Sequence, residues 1–78
     1  MNRCYGLKIL PKYFDLIDKG LKAWEIRKDQ GFKVGDYLIL LEWDQEYTGR
    51  DMKVRIIHIF DDFGLKKDYV IMSIRKCG

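Results

Sequence analysis

The chain has 78 residues, of which 47% are hydrophobic and 14% aromatic, a composition that excludes intrinsic disorder and suffices for one small domain, residues 1–78. No apolar run reaches the ~20 residues that span a bilayer, and residues 1–4 lack the apolar stretch of a signal peptide, so we expect a cytoplasmic protein with no membrane partner. Fifteen Lys and Arg against twelve Asp and Glu give a net charge of +3, which permits a polyanionic partner without requiring one.

The first predicted elements are a strand over residues 4–10 and a short helix over Pro11 to Lys19. Proline suits the first turn of a helix, where its missing N–H costs no hydrogen bond. Phe14, Ile17 and Leu21 recur at helical spacing, and Gly20 lies where a left-handed C-cap belongs.

After the helix the apolar period changes to two, which is typical of strands. Strands are predicted over residues 23–27, 37–43, 52–60 and 69–75. Five strands and one helix in so short a chain close most simply into a small barrel, because a barrel leaves no exposed sheet edge. We therefore predict an α+β domain that is mainly β, a five-stranded barrel with its helix between strands 1 and 2.

Three further assignments follow from the same patterns. Residues 47–50 (Tyr-Thr-Gly-Arg) predict a hairpin-type loop. Trp24 shares its side of the second strand with Ile26, so we assign Trp24 to the core. His58 lies mid-strand among apolar neighbours, which favours a partly buried, hydrogen-bonded histidine over a general base, since the sequence names no nucleophile for a base to activate.

The candidate site is the segment Gly20 to Arg27, which passes from the helix into the second strand. Glu25 and Arg27 lie on one side of that strand, and Lys22 lies in the turn before it. A carboxylate can accept from an exocyclic amine or a sugar hydroxyl, and Lys and Arg can bind phosphate. The alternative is a structural ion pair between Glu25 and Arg27, with Lys22 in solvent.

The segment reads Gly-x-Lys-x-x-Glu-x-Arg, which resembles the signature of the ASCH superfamily, whose fold is a PUA-like β-barrel. The whole chain is similar to a small bacterial and phage branch of it, the domain of unknown function DUF3850. The residues that carry this resemblance are Leu7-Lys8, Pro11, Phe14, Gly20, Lys22, Glu25-Ile26-Arg27, Phe32, Val34-Gly35-Asp36, Tyr47-Thr48-Gly49-Arg50, Gly64-Leu65, Tyr69-Val70 and Ile74.

The resemblance implies binding of RNA or a nucleotide-like ligand in a cleft formed by Lys22, Glu25 and Arg27. Arg50 is the next candidate for a phosphate contact, because a glycine-preceded Arg can approach a nucleic-acid backbone. Tyr47 is the candidate for stacking on a base. Two Cys and one His cannot supply the four ligands of a structural zinc ion, and we expect no cofactor.

Two other functions stay open. Some ASCH-like proteins hydrolyse the amide of N4-acetylcytidine, and in such an enzyme Lys22 and Glu25 would be the catalytic residues. No Ser or Thr lies between Lys22 and Arg27, however, so the nucleophile would be missing. The other possibility is an accessory protein-interaction module.

Overall fold

The computed structural model describes residues 2–62 and 64–78, which form one helix and five strands. In chain order the elements are β1 (Cys4–Ile9), α1 (Pro11–Asp18), β2 (Trp24–Lys28), β3 (Tyr37–Trp43), β4 (Tyr47–Phe60) and β5 (Tyr69–Lys76). The predicted order of elements is confirmed. No helix in these residues combines the length and the apolar composition needed to cross a bilayer.

Helix α1 ends as its sequence predicts. Gly20 has a φ of +75°, and its N–H donates to the Ile17 carbonyl. The N–H of Leu21 donates to the Leu16 carbonyl at 2.9 Å, which completes a Schellman motif. Phe14 and Ile17, one turn apart, are both buried against the sheet, whereas Leu21 lies beyond the end of the helix and is 75% exposed, so its place in the helical stripe is wrong. The cap therefore fixes where the chain leaves the helix, and with it the start of the candidate site.

The strands form one curled sheet in the order β1-β3-β4-β5-β2, with β1 parallel to β3 and the other neighbours antiparallel. In the described chain, the edge strands β1 and β2 share no backbone ladder, so the predicted closed barrel is wrong and the sheet is a half-barrel. A side-chain hydrogen bond from Arg27 Nη2 to the Lys8 carbonyl at 3.0 Å joins these two edges. The charged side chains of Glu25 and Arg27 on β2 line the space between them.

One face of the sheet, called here the inner face, carries the core and is covered by α1. Cross-strand register places Leu38 beside Val54 and Ile56 beside Ile74, so that buried side chains stack in adjacent rows. Each fully buried Leu, Val or Met side chain stabilises the fold by roughly 1.5–3 kcal/mol. The opposite face is called the outer face. The core consists of Leu7, Ile9, Phe14, Ile17, Phe32, Leu38, Leu40, Met52, Val54, Ile56, Val70, Met72 and Ile74.

The predicted loop at Tyr47–Arg50 is wrong, because these residues are the first part of β4. The chain turns earlier, at Gln45, which has a φ of +66°. The Asp44 N–H donates to the Glu46 carbonyl across this turn, and Trp43 pairs with Tyr47. The actual three-residue turn contains no Gly or Pro, so its sequence does not predict a turn. The Gly in Tyr-Thr-Gly-Arg is a stronger turn signal, and the loop is therefore predicted there.

A β-bulge at Ile57 changes which residues of β4 face the core. Ile56 pairs with Ile74 and His58 pairs with Ser73, which leaves Ile57 as the extra residue. Ile59 therefore packs against the core, and His58 is exposed with its ring 4.4 Å from that of Phe60. The predicted burial of His58 is wrong because the bulge shifts the alternation by one residue.

The two sides of strand β2 are exchanged relative to the prediction from its hydrophobic pattern. Trp24 is 46% exposed and Ile26 is 42% exposed, whereas Glu25 is only 5% exposed. Pairing with β5 places Glu25 beside the buried Met72, on the inner face. The assignment of Trp24 to the core is wrong, because the inner face at this edge opens into a cavity that accommodates charge.

Candidate functional site

A cavity of about 390 Å³ lies at the gap between the two sheet edges, beside α1. Its volume is in the range of small-ligand sites. Three of the predicted site residues, Lys22, Glu25 and Arg27, lie together in its wall. We call it the β1–β2 cavity; its lining is Lys8, Ile9, Leu10, Tyr13, Lys22, Trp24, Glu25, Ile26 and Arg27.

Glu25 is the centre of an ion cluster in this wall. The Lys22 ammonium donates to Oε1 of the carboxylate. Arg27 donates to Oε2 from Nε at 3.1 Å and from Nη2 at 3.0 Å. The Glu25–Arg27 ion pair of the alternative prediction is present, but Lys22 is not in solvent, because it pairs with the same carboxylate and its side chain is only 11% exposed. Two cations with one carboxylate give the cluster a formal net charge of +1.

The cluster retains hydrogen-bond donors that a ligand can use. The ammonium of Lys22 has three N–H donors, and Glu25 and the Trp24 carbonyl take two of them. Arg27 uses Nε and Nη2, while its Nη1 has no partner within the residues that the structure describes. The Arg27 side chain is 25% exposed, so water or an anion can reach it. One ammonium N–H and the two N–H groups of Nη1 therefore remain for a ligand.

Two aromatic rings flank the Lys22 ammonium. Its Nζ lies 4.3 Å from the centroid of Trp24 and 5.5 Å from that of Tyr13, within the range of cation–π attraction. Both rings belong to the cavity wall. The wall combines fixed charge with flat apolar surface.

Local sequence explains how the cluster is assembled. The C-cap turn ends with the Lys22 N–H donating to the Leu16 carbonyl at 3.2 Å, which places the lysine beside the start of β2. The Ile74 N–H then donates to the Ala23 carbonyl at 3.0 Å and fixes the register with β5. Glu25 and Arg27, two residues apart, consequently face inward together.

Arg50 lies in a second ion cluster that ties β3 and β4 to α1. Its Nη2 lies 2.5 Å from Oε2 of Glu42 and 2.9 Å from Oδ1 of Asp15. Hydrogen bonds from Arg50 and then from Thr48 lower the pKa of Glu42 to about 2. Two carboxylates hold the guanidinium, and Arg50 is not among the described residues that line the β1–β2 cavity. Its contact with phosphate stays a prediction.

Tyr47 is exposed on the same hairpin and also lies apart from the described lining of the cavity. Its hydroxyl donates to Oδ2 of Asp51 at 2.6 Å, and this hydrogen bond raises the pKa of Tyr47. The ring remains accessible, so stacking of Tyr47 on a base stays a prediction.

Comparison with known proteins assigns the chain to a family. The model of a domain of unknown function, DUF3850, matches residues 4–74, which include every predicted site residue. The chain belongs to the DUF3850 family. A protein of Escherichia phage P2, described as an uncharacterized 12.9 kDa protein in the GpA 3′ region, is similar to it, with 40% identity over 74 residues. The aligned segment covers 92% of this chain and 68% of the phage protein.

Sequence reasoning missed the two aromatic side chains in the lining of the β1–β2 cavity. Tyr13 lines the cavity from α1, and Trp24 lines it from the edge of β2. Tyr13 could have been found from helical spacing, because it immediately precedes the buried Phe14 and therefore does not lie on the side of α1 that packs against the core. The position of Trp24 follows from the exchanged sides of β2 and has no local signal.

Proposed function

We propose that this DUF3850 domain binds RNA or a nucleotide-like ligand in the β1–β2 cavity, and that its half-barrel is a PUA-like fold of the ASCH type. The observation that carries the proposal is a buried carboxylate held between two cations in the wall of a ligand-sized cavity. Structural ion pairs alone do not need a cavity beside them.

Each part of the wall suits one part of a nucleotide. The free Nη1 of Arg27 and the remaining N–H of Lys22 suit a phosphate or a base carbonyl. The Glu25 oxygens keep lone pairs that can accept from an exocyclic amine or a hydroxyl. The rings of Tyr13 and Trp24 offer surface against which a base can stack. Holding the carboxylate between cations before the ligand arrives lowers the ordering cost of binding.

Amide hydrolysis of N4-acetylcytidine, with Lys22 and Glu25 as catalytic residues, is the less favoured function. Among the described residues of the cavity lining there is no Ser, Thr or Cys to act as nucleophile. A protein-interaction role has no specific contact in its favour.

Fluorescence anisotropy with a labelled single-stranded RNA tests the proposal at two salt concentrations. We expect Lys22→Ala/Arg27→Ala to bind at least about tenfold more weakly, with a salt slope reduced by about 1.4, since each phosphate contact on a single strand contributes about 0.7. Lys19→Ala/Lys67→Ala removes the same charge from exposed positions outside the cavity lining and should bind like wild type.

A second variant distinguishes a loss of binding from a loss of folding. Tyr13→Ala leaves the ion cluster intact and removes only a ring from the wall, so it should remain folded and weaken binding. Wild-type affinity in both Tyr13→Ala and Lys22→Ala/Arg27→Ala would show that the cavity is not the binding site. Release of acetate from N4-acetylcytidine, lost in Glu25→Gln, would instead identify the hydrolase.

A further inference from the structure

The outer face of the sheet carries a row of cations around one tyrosine. Tyr37, Arg55 and Arg75 are cross-strand neighbours on β3, β4 and β5. The Lys53 ammonium lies 4.4 Å from the Tyr37 ring centroid, and the guanidinium carbon of Arg55 lies 5.5 Å from it. Arg55 and Arg75 also line a cavity of about 480 Å³ together with Tyr37. We call Lys53, Arg55 and Arg75 the basic row.

In the part of the chain that the structure describes, none of the three side chains of the basic row forms an ion pair, whereas Lys22, Arg27, Arg50 and Lys76 all do. Arg55 and Arg75 stand directly opposite each other, and like charges in that arrangement destabilise a sheet. Such local conflicts are expected at functional sites, where an external anion compensates them.

An apolar groove continues from the basic row along the same face. It has a volume of about 500 Å³ and is mainly apolar. Along β5, Arg75 and Ile71 are four residues apart, or about 13 Å. Ser73 lies between them, beside His58 of β4 and Trp24 of β2. We call this the outer groove; its lining is Trp24, Ile26, Phe60, Ile71 and Ser73.

The outer groove and the β1–β2 cavity meet at the edge of β2. Trp24 and Ile26 line both, because they stand on an edge strand with no neighbour beyond it in the sheet order. A flexible chain held in the cavity can therefore pass over this edge and reach the outer face without crossing the core. Trp24 and Ile26 are exposed on this strand, whereas Glu25 and Arg27 face the cavity between them and the core.

We propose that the outer face is the track of a single-stranded nucleic acid that leaves the β1–β2 cavity over β2. Its bases lie against Trp24 and the outer groove, and its phosphates lie along Arg75, Arg55 and Lys53. This inference rests on the proposed function of the cavity and extends it from one bound nucleotide to several. Aromatic surface beside unpaired cations is the combination by which proteins bind single strands without reading their sequence.

The inference predicts that the affinity depends on the length of the nucleic acid. Labelled oligouridylates of three and twelve nucleotides are titrated against wild type and Arg55→Gln/Arg75→Gln at two salt concentrations. For the variant we expect affinity for the 12-mer to fall about tenfold or more and its salt slope to decrease by about 1.4, with affinity for the 3-mer unchanged. Lys19→Gln/Lys67→Gln is the charge-matched control and should leave both affinities unchanged. Thermal melts confirm that each variant is folded.

The outcomes separate this inference from the proposed function. If Arg55→Gln/Arg75→Gln binds the 12-mer like wild type while Lys22→Ala/Arg27→Ala binds both oligomers weakly, the track is wrong and the cavity stands. If binding of the 12-mer depends on the basic row and is unchanged in Lys22→Ala/Arg27→Ala, the proposed function of the cavity is wrong, and so is a track that starts in the cavity. Equal wild-type affinity for the two lengths overturns the track. The track is also wrong if the wild type binds phosphatidylserine vesicles but not the 12-mer, and if Arg55→Gln/Arg75→Gln abolishes the binding to vesicles.

Discussion

Replacing Glu25 with Ala should destabilise the folded state strongly, although the residue is polar and lies on an edge strand. The substitution removes the carboxylate that receives the ammonium of Lys22 and two N–H groups of Arg27. Both cations stay where the cap and the strand register place them. They then repel each other across the space that the carboxylate filled.

The structure sets the size of this effect. Breaking a buried ion pair by removing one partner costs about 3–5 kcal/mol. The Lys22 side chain is 11% exposed and that of Arg27 is 25% exposed, so water can partly replace the lost partner. We therefore expect a loss of about 2–3 kcal/mol in the free energy of unfolding, from a total of roughly 4–12 kcal/mol for a chain of this length. In a domain this small that corresponds to a decrease in Tm of roughly 10–20 °C.

Urea titration and thermal melts of wild type, Glu25→Ala and Glu46→Ala measure the effect. Glu46 is exposed in the turn before β4, so its substitution should change the free energy of unfolding by less than about 0.5 kcal/mol. Glu25→Gln keeps an acceptor without the charge and should fall between wild type and Glu25→Ala. A Tm for Glu25→Ala within about 2 °C of wild type would refute the claim that the carboxylate holds the two cations together.

Two further predictions concern stability. The depressed pKa of Glu42, about 2 against an ordinary value of 4.5, stabilises the fold above the unfolded-state pKa, and this contribution is lost as the pH falls from 4.5 toward 2. Glu42→Gln should therefore show a smaller loss of stability on acidification when urea titrations at neutral and acidic pH are compared; an acid response as steep as that of wild type would contradict this assignment. Gly20→Ala should cost about 1–2 kcal/mol in thermal melts, because φ is +75° while no atom crowds the added methyl group, and Gly20→Asn should cost less. Equal stability of the Ala and Asn variants would count against a purely conformational cost.

The amino-acid sequence by itself determined the elements and most of the chemistry of the cavity. Helix α1, its glycine cap and the period-two strands depend on residues close together in the chain, so pattern reasoning identifies them. The same patterns place Lys22, Glu25 and Arg27 close together, since the turn and the strand that hold them are contiguous, whereas their role in a cleft is what the resemblance of Gly-x-Lys-x-x-Glu-x-Arg to a family signature implies. The structure places the three residues in the wall of one cavity, and ligand binding there stays a prediction.

Only the tertiary structure decided which faces and partners those residues have. Trp24 faces outward because pairing between β2 and β5 fixes its side, and the bulge at Ile57 exposes His58. Arg50 meets Glu42 and Asp15 on other elements. Register, edge position and charge partners depend on contacts between residues far apart in the chain, and one residue of shift reverses a strand. Periodicity cannot carry that information.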